Sequence, residues 1–306
     1  MSQHTVVGAG PIGTAVARRL VTDGHDVTLL SRSGRGPELP GVRRGTVDAT
    51  DAAALTAAAK GADVLHLSVN PPHYGLWAQM WPPLTDAFLA AAEASGAILA
   101  ITGNLYPYGP VDGPMREGMP DRAPGEKATL RAHLTAQAMA RHAAGRIRAV
   151  EVRPSDFVGS SADSHLDRVL PRALAGHAVR MIGRVDQPHS WTWVGDVARA
   201  QVAAAGNEAA LGRVWHVPTN PPRTQREAVQ DHCRAAGIDP VPVRAVPHLA
   251  LRAAGLFQKQ VAELEETRYQ FVRPYVLDSS ASEAALGLRP TPWAEICRAN
   301  VARLAG

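Results

Sequence analysis

The chain has 306 residues, a formal charge of +4 from 32 Lys and Arg against 28 Asp and Glu, and 45% hydrophobic residues, enough for one large or two small cores. Its arginines are scattered rather than gathered on one face, which argues against nucleic acid and towards small anionic partners. Two cysteines, Cys233 and Cys297, are too few for a disulfide framework and lack metal-ligand spacing, and no apolar run reaches bilayer length, so neither a metal nor a membrane is expected.

A first strand starts within a few residues of Met1, which predicts no signal peptide and a cytoplasmic protein. Thr5 to Leu30 reads as one βαβ unit. A strand enters Gly8-Ala-Gly10-Pro11-Ile12-Gly13, a helix follows through Ala15, Val16 and Leu20, a turn forms at Asp23-Gly24-His25, and a second strand closes the unit. Gly8 allows the tight turn, Gly10 lets backbone approach a pyrophosphate, and Gly13 brings helix and sheet together. The helix N-terminus offers free N–H groups to phosphate. A bound dinucleotide is expected on Gly8, Gly10, Pro11, Ile12 and Gly13.

The second strand ends in Ser31-Arg32-Ser33, where an NAD site would carry an acid for the ribose hydroxyls. Arginine and serines suit a 2′-phosphate, so NADP is favoured over a merely solvated basic loop. A third strand over Val42–Val47 ends in Asp48, which either contacts the adenine or shapes the turn into a helix capped near Thr50 or Asp51. A fourth strand follows from Asp63 and breaks at Asn70-Pro-Pro-His-Tyr into a loop beside the cofactor. Trp77, Trp81 and Phe88 mark core, and Pro82-Pro83 predicts the start of a helix running to Ala94.

Ala97–Thr102 is the fifth strand and delivers Asn104, Tyr106 and Tyr108 to the end of the sheet that carries the glycine turn. An alanine-rich helix follows with Lys127 in its first turns; Lys60, Lys127 and Lys259 are the only lysines. Arg146–Arg153 is the sixth strand. Beyond it come a helix over Leu166–Leu174, strands near Val179–Ile182 and Arg213–Val217, and the strand-like run Gln187–Trp193 feeding a helix. Helices near Gln225–Ala236, His248–Leu256 and Trp293–Leu304 complete the chain. Tyr269, Phe271 and Tyr275 alternate as in a strand and could wall an apolar pocket. The alternation predicts an α/β, Rossmann-like, doubly wound and mostly parallel sheet over residues 1–158, with a smaller substrate-binding subdomain over 159–306 from which segments near 190–217 return to the main sheet.

These motifs resemble the short-chain dehydrogenase/reductase superfamily, extended or atypical type, often called the NAD-dependent epimerase/dehydratase family. The residues carrying the resemblance are Gly8–Gly13, Asp48, Leu105-Tyr-Pro-Tyr-Gly109, Arg153-Pro-Ser-Asp-Phe-Val-Gly159, Trp193-Val-Gly-Asp-Val-Ala198, and Pro274–Ser279 with Ala284–Thr291. The resemblance implies a serine or threonine after the fifth strand and a tyrosine four residues before a lysine that holds the nicotinamide ribose. Lys127 matches the lysine, but Ala123 stands at the tyrosine position and Asn104 at the serine or threonine position. The run Asn-Leu-Tyr-x-Tyr-Gly with Gly125-Glu-Lys127 and Arg131 resembles a branch that also lacks the tyrosine.

The resemblance therefore implies replacements. Asn104 can bond a carbonyl or oxyanion, and Tyr106 can give a proton with Lys127 tuning it, or else simply line an aromatic pocket. Asp156 falls where relatives place a substrate-contacting asparagine, so it is a candidate general base or an N-cap. His189 falls where relatives face substrate and is the favoured histidine for acid–base work. The leading expectation is NADPH-dependent reduction of a small apolar or aromatic carbonyl or enone. A redox-neutral isomerase, dehydratase or cyclase is the alternative, and a non-enzymatic NADP-sensing regulator the third. A homodimer paired through helices near Thr85–Ser95 and Lys127–His142 is the family expectation.

Overall fold

The computed structural model describes every residue except 161–163, 256–257, 259–261 and 306. Seven parallel strands form one sheet in the order β10-β6-β5-β4-β1-β2-β3. They are β1 (Gln3–Val7), β2 (Asp26–Ser31), β3 (Val42–Thr46), β4 (Val64–Leu67), β5 (Ile98–Thr102), β6 (Arg148–Arg153) and β10 (Val214–His216). The order reverses beside β1, which opens a crevice at the C-terminal ends of β1 and β4.

Strand alternation sorts the apolar side chains between two helical layers. Leu65, Leu67, Leu99 and Ile101 point towards α2 (Ala52–Ala59), α3 (Trp77–Ser95) and α4 (Glu126–Ala143), with Leu55, Phe88 and Leu134 filling that core. On the opposite face, Val6, Val27 and Leu29 pack with Val16 and Leu20 of α1 (Pro11–Thr22) and with Ala198 of α6 (Val194–Ala205). Because both faces are covered, a strand such as Ile98–Thr102 reads as an unbroken apolar run.

A separate core holds the second half of the chain. Leu166, Leu170, Trp191, Val229, Val243 and Trp293 meet in it, on α5 (Leu170–Leu174), β9 (Trp191–Trp193), α7 (Gln225–Ala235), β11 (Val243–Ala245) and the last helix, Trp293–Ala305. Two short parallel pairs, β7 (Asp156–Val158) with β9, and β8 (Val179–Met181) with β11, frame it. From β9 the chain enters α6, which packs on α1, and then β10, which extends the main sheet beside β6.

Several elements differ from their sequence expectation. The helix expected to start at Pro82-Pro83 starts at Trp77 and carries both prolines inside. Trp77, Trp81, Leu84 and Phe88 form one buried stripe, and that burial outweighs the missing proline donors. Tyr269, Phe271 and Tyr275 do not form a strand: Leu264–Thr267 and Tyr269–Val272 are helical turns. In the first of these turns Glu263 and Glu266, three residues apart, both grip Lys127, which suits helical spacing there. Asp156 caps no helix and opens β7 instead. The helix expected over Leu166–Leu174 is regular only from Leu170. The helix from His248 is described to Gly255, and its expected end, Leu256, lies outside the described residues, as does Lys259.

Candidate active site

A cavity of about 680 Å³ opens at the C-terminal ends of β1, β4, β5 and β6, and Gly8, Gly10, Pro11, Ile12, Asn104, Tyr106 and Asp156 all line it. The glycine turn divides its labour. Gly8 has φ +113°, and a Cβ on it would stand 2.4 Å from the Ser68 carbonyl oxygen. A Cβ on Gly13 would stand 1.8 Å from the Gly8 carbonyl oxygen, so that glycine is the helix–strand contact itself. A Cβ on Gly10 would meet no protein atom within 4 Å; it would project into the cavity. Helix α1 starts at Pro11 with no side-chain cap, leaving first-turn N–H groups for an anion. These features fit a dinucleotide pyrophosphate.

At the end of β2, Ser31 Oγ donates to the Arg35 carbonyl at 2.6 Å and Ser33 Oγ accepts from the Arg35 amide at 3.3 Å. Both serines thus shape the loop, while Arg32 is exposed and forms no ion pair among the described residues. Asp48 accepts from the Thr50 amide at 2.9 Å and the Thr50 hydroxyl at 2.7 Å. Those two bonds, with a smaller contribution from Arg32, hold its carboxyl below the usual range.

Two hydroxyls meet at the back of the cavity. Tyr106 follows β5, Tyr74 follows β4, and their oxygens are 2.6 Å apart. Burial pushes both phenols above their ordinary value, Tyr106 the further because Tyr74 and Asp156 also disfavour its charged form. Trp77 stacks on Tyr106 at 6.0 Å and meets Tyr74 edge-on at 5.1 Å. Asn104 Oδ1 accepts from the Tyr106 amide at 3.1 Å, which commits the oxygen and leaves the amide NH₂ as the group free to donate into the cavity.

Lys127 lies beside this cavity rather than in its wall. Its Nζ donates to Glu263 at 2.7 Å and Glu266 at 2.8 Å and sits 5.1 Å from the centre of the Tyr74 ring. It reaches Tyr106 only through Tyr74. Arg131, one helical turn on, is the cation of α4 that does line the cavity. Only 4% of it is exposed; Nη2 donates to the Thr102 carbonyl at 2.6 Å and the guanidinium lies 4.2 Å over the Trp81 ring. Burial pulls its pKa down to about 10, so it remains charged at neutral pH.

Asp156 and His189 are brought together by β7 and the entry to β9. His189 Nε2 and Asp156 Oδ2 are 2.8 Å apart, and Nδ1 is 3.2 Å from the Gln270 carbonyl. That carbonyl can only accept, so Nδ1 donates to it and Nε2 is the ring nitrogen turned to Asp156. His189 is 2% exposed and stands behind Asp156, which presents the carboxylate to the cavity. Phe271 and Tyr275 complete an apolar wall.

Sequence reasoning gave no role to Tyr74 or Arg131. The loop Asn70–Tyr74 was legible as cofactor-proximal, and its tyrosine was the residue to weigh. For Arg131 the signal was a charge at helical spacing with Ala128, Leu134 and Ala138 on the buried face of α4, a face that also carries Lys127 and Thr135.

The sequence profile of the NAD dependent epimerase/dehydratase family matches residues 5–217. The chain belongs to that family. It is thereby a nicotinamide-dinucleotide-dependent enzyme of the epimerase/dehydratase type. Among solved structures it is similar to UDP-N-acetylglucosamine 4-epimerase from Bacillus cereus, at 12% identity and a TM-score of 0.81 over 100% of both chains. It is also similar to UDP-glucose 4-epimerase from Thermus thermophilus, at 19% identity and 0.79 over 99% of both. A third is dTDP-glucose 4,6-dehydratase from Bacillus anthracis in complex with NAD, at 13% identity and 0.79 over 99% of this chain and 96% of the other. These are likenesses of fold. A search of the curated proteins returns no match. No helix among the described residues is long and apolar enough to cross a membrane.

Proposed function

We propose that this family member reduces a small carbonyl or conjugated enone at the expense of NADPH, with Tyr106 giving the proton. The observation that carries the reading is the Tyr106 hydroxyl in the cavity, 2.6 Å from Tyr74. Burial raises both phenols, so each carries a proton to give, but as a weak acid whose transfer depends on stabilising the phenolate left behind. When Tyr106 gives its proton, the Tyr74 hydroxyl donates to the oxygen left behind, and Asn104 donates to the substrate oxygen. A reduced nicotinamide in the crevice supplies the hydride. Arg32, exposed at the end of β2 and without an acid beside it on that strand end, supports NADPH over NADH.

One observation favours a second reading. Asp156 is hydrogen-bonded to His189 and faces the same cavity, which suits proton abstraction in a redox-neutral isomerisation.

The test is NADPH oxidation against a panel of aromatic and aliphatic carbonyls and enones, on wild type and Tyr106→Phe. The proposal expects consumption of one NADPH per product and a drop in kcat of roughly 10²–10⁴ in the variant, with NADPH affinity retained. Turnover without NADPH consumption supports the second reading, and an unchanged rate in Tyr106→Phe removes Tyr106 from the chemistry.

A further inference from the structure

Two arginines are buried beside the end of β5, and they are treated differently. Arg153, 1% exposed, has its charge met by two carboxylates: Asp121 at 2.6 and 2.7 Å and Glu151 at 2.9 Å. Arg131, 4% exposed, forms no ion pair among the described residues. Its one hydrogen-bond partner is the neutral Thr102 carbonyl, its Nε has no partner, and one side of the guanidinium is covered by the Trp81 ring. The nearby acid Glu151 is committed to Arg153 and to the Thr135 hydroxyl. Charge in this cluster balances, and Glu151 favours the charged form of Arg131 through space; what Arg131 lacks is a hydrogen-bonded anion, and a buried guanidinium with N–H groups unsatisfied is costly.

The direction in which this charge is open is set by its surroundings. Trp81 closes one side and α4 another, while the residue lines the cavity beside Thr102, Gly103, Asn104 and Tyr106. We propose that Arg131 is a carboxylate-binding residue and that the substrate is a small oxo acid, its carboxylate on Arg131 and its apolar part against Trp77, Phe271 and Tyr275. A carboxylate is planar and matches the planar donor fork of a guanidinium, and it adds less negative charge than a phosphate dianion beside Glu151. This rests on the carbonyl-reductase reading above and narrows its substrate.

The experiment compares phenylpyruvate with phenylacetone, which differ by the carboxylate, on wild type, Arg131→Gln and Arg131→Lys. Alongside it, benzoate and benzyl alcohol are titrated into each NADPH-saturated protein by calorimetry. Arg131→Gln is expected to lower kcat/KM for phenylpyruvate by about thirtyfold or more and leave phenylacetone within about threefold. Arg131→Lys is expected to recover part of the loss. Benzoate is expected to bind wild type but not Arg131→Gln, with benzyl alcohol indifferent to the change.

If benzoate binding depends on Arg131 but no carbonyl is reduced, the reductase reading falls and the carboxylate subsite stands. If both ketones lose activity equally, or wild type binds no benzoate, the proposal is overturned. Loss of NADPH affinity in Arg131→Gln, with carboxylate preference intact, also overturns it, because the guanidinium then serves the cofactor. If the glutamine variant does not fold, Arg131→Lys carries the comparison: benzoate affinity and the phenylpyruvate preference both reduced support the proposal, and both unchanged overturn it.

Discussion

Alanine placed at Gly10 and at Gly13 should separate binding from folding within one turn. Gly13→Ala puts its methyl 1.8 Å from the Gly8 carbonyl oxygen and 3.0 Å from the Gly8 carbonyl carbon. Both are backbone atoms of the turn, so β1 and α1 must part. Overpacking of that kind costs about 3 kcal/mol, which lowers Tm by roughly 5 °C in a chain of this size. Gly10→Ala has the reverse profile. Its backbone, at φ −77° and ψ −173°, accommodates alanine, and the methyl meets no protein atom within 4 Å. Stability should stay within about 0.5 kcal/mol of wild type. The methyl nevertheless stands where phosphate would approach the backbone. Losing one charge-assisted N–H bond, at ~1.5–3 kcal/mol, weakens NADPH roughly 10- to 150-fold. Thermal denaturation without cofactor and NADPH fluorescence titration read the two effects separately. Wild-type NADPH affinity in Gly10→Ala would show that no dinucleotide lies over this turn.

Arg32→Ala should weaken NADPH by about tenfold, the worth of one charge-assisted bond, and leave NADH unchanged; equal effects on both cofactors would contradict 2′-phosphate recognition. Lys127→Met removes the cation shared by Glu263 and Glu266, whose side chains are 21% and 27% exposed, so a loss of about 2 kcal/mol in urea unfolding is expected. NADPH affinity should stay within about threefold, since Nζ is committed to those carboxylates; a large loss of affinity would return Lys127 to the cofactor. Burial lowers His4 to about 4 and His66 to about 3. Above pH 6.5 both are neutral folded or unfolded, and as pH falls below 6.5 only the unfolded chain takes up protons, down to the folded values. Stability should therefore fall between pH 6.5 and 4 by about 1.4 kcal/mol per pH unit per group, and His66→Leu should flatten the slope of urea midpoint against pH.

The sequence foretold what is local or periodic. The glycine turn, the Asp51 cap of α2 and the alternation of strands with helices each carry their cause in neighbouring residues. Trp77–Ser95 was misjudged because a proline pair is a local stop signal, while the burial of Trp77 and Trp81 that overrides it is tertiary. Lys127 shows the same limit more sharply. Its position in the helix was legible, but its partners lie 136 and 139 positions away, in a stretch to which the sequence reading gave no element. The juxtaposition of Asp156 with His189 depends on the register of β7 against β9, in which Asp156 faces Trp191; no spacing in the chain announces it. Tyr74 and Arg131 were visible as residues. What the sequence withheld was that both turn into the same cavity.

The most direct test of the central claim is to supply NADPH carrying deuterium at the transferable position of the nicotinamide and to follow the label by mass spectrometry of the product from an oxo-acid substrate. One deuterium in the product for each NADPH oxidised is the predicted result. Product formed with the label still on the cofactor would contradict the reductase account and leave Asp156 and His189 as the working groups of a redox-neutral site.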